Sequence, residues 1–229
     1  MTNELYTILV EYYTIPLYLI AWLFAVARYK SYFDTPLKFY PVFIMYTFLT
    51  ELLGYFIQFN EEFQFFSDER YDWHNVIIFN IYSVVTFLFF YYIYWRVLKV
   101  QKHKSWVKYG ALVGVLAYII SLIFQNPFHT NLYYADLVAS IVLLVDISLY
   151  FKEKKRETNP YPQKYNLMFW TSLGLAIFHI FFPFIFLMGY KAQYIYVEYH
   201  LHDFLMMLIV FMYGTFIIGI IIHKRKAFR

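Results

Sequence analysis

Apolar residues fall in seven long runs along this chain, and the charged residues gather in the short intervals between them. Val76–Trp95 is the cleanest run, with no charge inside it. At ~1.5 Å rise per residue, a helix of that length covers roughly the ~30 Å hydrocarbon core of a bilayer. Its flanks are opposite in sign: Glu61, Glu62, Asp68, Glu69 and Asp72 precede it, and Arg96, Lys99, Lys102, Lys104 and Lys108 follow it. Basic flanks stay on the cytoplasmic side, so this helix is expected to run from outside to inside.

That direction fixes the others. The pattern predicts an all-α integral membrane protein, a seven-transmembrane helix bundle in one domain over residues 1–229. The expected spans are 5–27, 37–59, 76–95, 109–124, 132–151, 165–189 and 204–222. The N-terminus is expected outside and the C-terminus in the cytoplasm. Only Arg70 and Lys191, of the 19 lysines and arginines, then fall on the outer side, so no span violates the positive-inside rule. A cleaved signal peptide competes for the first run, because Ala25-Val26-Ala27 looks like a cleavage site. The acidic start at Glu4, the interruption by Glu11 and the basic residues after the run argue against it. Pro16 predicts a kink in span one, since it removes a donor and frees the Tyr12 carbonyl. In span four, Gly110 and Gly114 have the small-residue spacing that lets helices approach closely.

Composition agrees with the pattern. Hydrophobic residues make up 62% of the 229 and charged residues 15%, against about a quarter charged in a soluble domain. The 26 Tyr and 27 Phe exceed what interfacial belts need, so many must pack inside the bundle or face acyl chains. The net charge of +4 lies in loops between spans and reads as topology, not as a nucleic-acid footprint. The absence of cysteine excludes disulfides, thiolate nucleophiles and Cys-ligated zinc.

Ionisable residues inside spans are costly and mark candidate functional positions. Glu11, Glu51, Asn80, Asp136 and His179 each lie about one to three turns from the outer boundary of a different span. They are expected either to line an outward-facing polar cavity or to tie helices together by hydrogen bonds worth about 1 kcal/mol each. Pro183, one turn after His179, frees that residue's own carbonyl. Asp146 lies nearer the cytoplasm, where Lys152 is the expected partner. Glu51 is the key acid, expected either as a protonated hydrogen-bonded bridge or as a pair with His179.

Three function classes follow. A receptor-like or partner-binding signalling module ranks first, with no catalytic residue required, a lipid bilayer as solvent, and basic loops able to meet a membrane or cytoplasmic protein. A metal-dependent hydrolase is the alternative. Seven-helix ceramidase-like enzymes hold zinc with membrane-embedded His and Asp, whereas this chain offers His200-x-His202-Asp203. Residues two apart face nearly opposite ways on a helix, so Glu198 and His202, with Asp203, form the better metal candidate. A small transporter or channel subunit comes third, since only Pro16 and Pro183 interrupt spans. No cofactor is expected outside the hydrolase reading. Retinal is excluded because Phe204–Ile222 contains no lysine for a Schiff base. P-loop, dinucleotide-binding, nucleophile-elbow and zincin motifs are all missing.

Three short segments, Leu49-Thr50-Glu51-Leu52-Leu53-Gly54, Asn80-Ile81-Tyr82 and Phe169-Trp170, carry a resemblance to a group of small bacterial seven-helix inner-membrane proteins with no established activity. The resemblance implies the same architecture and a bacterial inner membrane, and no functional residue comes with it.

Overall fold

The computed structural model describes residues 11–72, 74–157 and 161–228. Among these the secondary structure is entirely helical. The principal helices are α1 (Thr14–Ala27), α2 (Tyr40–Phe59), α3 (Val76–Val97), α4 (Gln101–Phe124), α5 (Tyr133–Arg156), α6 (Leu167–Lys191) and α7 (Leu201–Ile222). Helices α2 to α7 are long and apolar enough to cross a membrane, and the protein is a multi-pass helical membrane protein. Helix α1, at 14 residues, covers about 21 Å. The start of the expected first span, Leu5–Val10, lies outside the described residues.

Successive helices pack on one another around a ring, α7 returns to α1 to close it, and α3 also reaches α5. The α6–α7 seam is the most extensive, and small residues make it so. A Cβ on Gly174 would run into the Thr215 hydroxyl, and one on Gly219 would stand 2.7 Å from Trp170 Cβ. The expected small-residue contact in α4 also forms, with two different partners. Gly110 faces Val142 of α5, where a Cβ would be 2.7 Å from Cγ1, and Gly114 faces Tyr91 of α3. The outer face of α4 carries exposed Leu112, Val113, Leu116, Ile119, Ile120 and Ile123. An apolar face of that extent suits lipid, not water.

Several expectations are corrected. Pro16 makes no kink, because α1 starts at Thr14 and Pro16 sits in its first turn, where a missing donor costs nothing. The Tyr12 carbonyl it frees accepts from Ile15 N at 3.0 Å instead. Helix α4 begins at Gln101 instead of Tyr109, so Lys102, Lys104 and Lys108 stand on a helix and not in a loop. The sharp turn that allows this is held by Glu153, whose carboxylate accepts from Lys99 N (2.7 Å) and Val100 N (3.2 Å) and meets His103 Nδ1 at 2.5 Å. Asp146 does not pair with Lys152. It is buried against α3 while Lys152 is exposed, and its Oδ2 has no hydrogen-bond partner.

The two ends of the ring are built differently. At one end the α1–α2 and α5–α6 connections and the C-terminal segment interlock. Arg225 pairs with Asp34 at 2.6 Å, Arg28 Nη2 donates to Ile221 O, and Asn166 Nδ2 donates to Ala227 O. His223 bridges three segments: Nε2 lies 3.2 Å from Ser31 O, and Nδ1 lies 3.2 Å from Tyr165 O and 3.3 Å from Leu167 N. Burial holds His223 below its ordinary range. At the other end the α2–α3 and α4–α5 connections meet through amides and rings. Asn75 Nδ2 donates to Gly54 O, Tyr190 stacks on Tyr133 at 5.0 Å, and Phe66 packs on His129.

Candidate functional site

A cavity of about 280 Å³ opens among α1, α2, α3, α6 and α7 toward that second end. Three helices supply its walls with one and the same spacing. Phe79, Ser83, Thr86 and Phe90 in α3, Leu175, His179, Phe182 and Phe186 in α6, and Leu205, Ile209, Met212 and Phe216 in α7 each step by four, three and four residues. That spacing puts each set on one helical face. Tyr18 of α1, Glu51 of α2 and Asn131 of the α4–α5 connection complete the polar part of the lining.

Glu51 and His179 line the same cavity, but they do not pair. The Glu51 carboxylate receives a long 3.5 Å contact from Tyr18 Oη. His179 Nδ1 lies 3.0 Å from Ser140 Oγ of α5, and its ring is surrounded by Phe87, Phe178 and Phe182. Two further hydroxyls lie here, Thr86 Oγ1 and Tyr213 Oη, both buried and both beside the Tyr82 hydroxyl. A third, Tyr82 Oη, meets Thr47 Oγ1 at 3.2 Å. The result is an aromatic and aliphatic chamber with polar groups arriving from five helices. The Tyr82 hydroxyl links those of Thr47, Thr86 and Tyr213 into one polar cluster at the chamber wall.

The other expected cavity residues are placed elsewhere. Asn80 is fully occupied in holding the α4–α5 connection: Nδ2 donates to Pro127 O (2.7 Å) and Thr130 O (3.1 Å), and Oδ1 accepts from Leu132 N (3.0 Å). Asp136 is buried behind the chamber wall, where it accepts from Tyr118 Oη at 2.5 Å. The cavity residue Ser83 stands beside both. Glu11 is exposed in the turn before α1 and does not line the cavity.

The metal candidates do not converge. The chain breaks between Glu198, which ends the short helix Gln193–Glu198, and His202 in the first turn of α7. His200 takes the left-handed conformation at the break, with φ 48°, so the expected one-turn relation of Glu198 to His202 is lost. His202 Nδ1 lies 3.4 Å from Tyr196 Oη, and Asp203 stands 3.6 Å from His200 Nδ1. Among the described residues, no three His, Asp or Glu side chains are grouped to hold a metal.

Tyr18, Thr86 and Tyr213 were missed from sequence because hydroxyl residues are common in spans and raise no alarm by themselves. The signal that would have found Thr86 is the shared four-three-four spacing of α3, α6 and α7. No family model, curated protein or solved structure matches this chain.

Proposed function

We propose that this protein is a receptor-like binding module of the bacterial inner membrane, which takes a small, mostly apolar molecule with one polar end into the chamber. Seven spans cross the bilayer, with α1 belonging to the first. The basic end faces the cytoplasm and the chamber faces outward. What carries this reading is the pairing of an aromatic lining with Glu51, His179 and the hydroxyl cluster of Tyr82, Thr86 and Tyr213. An apolar wall with a few convergent polar groups is the usual make-up of a small-molecule site. The volume is nearly twice the roughly 150 Å³ of an apolar cavity that takes up benzene, enough for a substituted ring or a short branched chain. The ligand's polar end would satisfy the Thr86 and Tyr213 hydroxyls and face Glu51 or His179. Binding would then be reported by the helices that form the walls, since α6 and α7 run from the chamber to the interlocked basic end.

Native mass spectrometry of protein purified in nanodiscs tests this. Wild type is expected to carry a small organic adduct, and Met206→Trp, which fills the chamber, is expected to lose it while remaining folded. An adduct unaffected by Met206→Trp, or none in wild type, would reject the binding role.

A further inference from the structure

The basic end holds a second pocket, unrelated to the chamber. We propose that it is a binding site for the phosphate headgroup of an anionic phospholipid. It measures about 410 Å³ and lies where the end of α3, the start of α4 and the end of α5 converge beside Pro36 and Asn166. Four cations line it: Arg96, Lys99, Lys104 and Lys154. One carboxylate answers them. Glu157 reaches Lys154 at 2.7 Å and Lys99 at 3.1 Å. Glu153, close by, is already committed to two backbone N–H groups and His103. Among the described residues, no carboxylate is within ion-pair distance of Arg96 or Lys104. The pocket therefore keeps a clear surplus of positive charge, and the Arg96 guanidinium offers the planar fork that suits a phosphate oxyanion.

Depth in the membrane argues for a lipid over free phosphate. Tyr92 and Trp95 on α3 and Trp106 and Tyr109 on α4 are all exposed at this level, and Lys104 Nζ lies 5.8 Å from the Trp95 ring centre. Exposed Trp and Tyr mark the membrane–water boundary. Immediately beyond them, Leu88 of α3 and Leu112 and Val113 of α4 present an apolar exterior along which acyl chains can lie. A phosphate held at the boundary with chains below it has the shape of a phospholipid, and basic pockets between spans on the cytoplasmic side favour such headgroups.

The full-length protein in detergent can be titrated with dioleoyl-phosphatidylglycerol or dioleoyl-phosphatidylcholine and read by native mass spectrometry. The anionic lipid is expected to be retained over the zwitterionic one, with affinity falling about fivefold for each cation removed in Arg96→Gln with Lys104→Gln. Lys102→Gln with Lys108→Gln removes the same charge from the same helix end outside the pocket, and is expected to leave binding within about twofold. Glu157→Gln removes the carboxylate that competes for Lys154 and Lys99, so it is expected to tighten binding, a gain that misfolding cannot imitate. Three results would overturn the site: equal retention of the two lipids, an equal loss in the two paired variants, or no gain in Glu157→Gln. Displacement of the lipid by millimolar inorganic phosphate would reassign the pocket to a soluble anion and overturn the lipid assignment.

Discussion

The two ends of this bundle solve the problem of loop polarity in opposite ways. At the basic end, charged side chains are drawn inward and spent on the backbone. Glu153 closes the α3–α4 turn, Arg225 fastens the C-terminal segment to Asp34, and His223 spans three chain segments. At the other end, neutral groups do the holding. Asn80 and Asn75 carry the connections, aromatic rings fill the gaps, and the charges of Asp68 and Arg70 pair outside in solvent. The first arrangement leaves a pocket lined by cations between α3, α4 and α5, whereas the second borders the 280 Å³ apolar chamber among α1, α2, α3, α6 and α7. Surplus positive charge suits an anion, while an apolar space edged by a few hydroxyls suits an apolar guest. Two kinds of space are thus separated along the bundle.

The comparison is most open to challenge at Glu153. Replacing it with alanine leaves the Lys99 and Val100 N–H groups without their acceptor, and Glu153→Ala is expected to cost about 1–3 kcal/mol. Denaturant unfolding in mild detergent measures this; a loss under about 0.5 kcal/mol would show that the basic end is not held as described. A smaller effect is expected from Glu157. Burial alone would push its carboxyl up, but hydrogen bonds and charges from Lys154 and Lys99 outweigh this and hold it below the ordinary value of 4.5. A lowered folded-state value means the contribution is present above about pH 4.5 and is lost as the pH falls through the folded value. The melting temperature of wild type is therefore expected to drop further than that of Glu157→Gln below pH 4.5, with no difference in slope near pH 7.

The smallest stability effect is expected at the chamber. Glu51→Gln keeps the shape and meets only a 3.5 Å contact from Tyr18, so a change within about 0.5 kcal/mol is expected, together with loss of the adduct expected in wild type. A cost as large as that of Glu153→Ala would make Glu51 a structural bridge and erase the contrast between the ends.

Which parts of this were legible in the sequence follows from the range of the forces involved. Apolar run length is a local signal, and helices α2 to α7 fall on the runs it marks, with α4 starting earlier, at Gln101. Glu51 and His179 stood out because a charged type in an apolar run is conspicuous one residue at a time. Asn80 and Asp136 were equally conspicuous, yet their partners are Pro127, Thr130 and Tyr118, on other segments, and only packing reveals that they are already satisfied. Glu153 was hidden for the opposite reason. It sits in a run of lysines and arginines that reads as solvated, and its inward turn depends on the α3–α4 backbone 53 and 54 residues away. Thr86 and Tyr213 carry no sequence signal of facing the chamber, because that property belongs to the space around them.

The most direct test of the account is a single-particle map of the protein held in nanodiscs with its native lipids, read between Tyr18, Glu51, Thr86, His179 and Tyr213. The account predicts one continuous feature larger than water in the chamber, with a polar end within hydrogen-bond reach of the Thr86 and Tyr213 hydroxyls. Separate ordered waters bridging those hydroxyls to Glu51, with the remaining space closed by side chains, would contradict it.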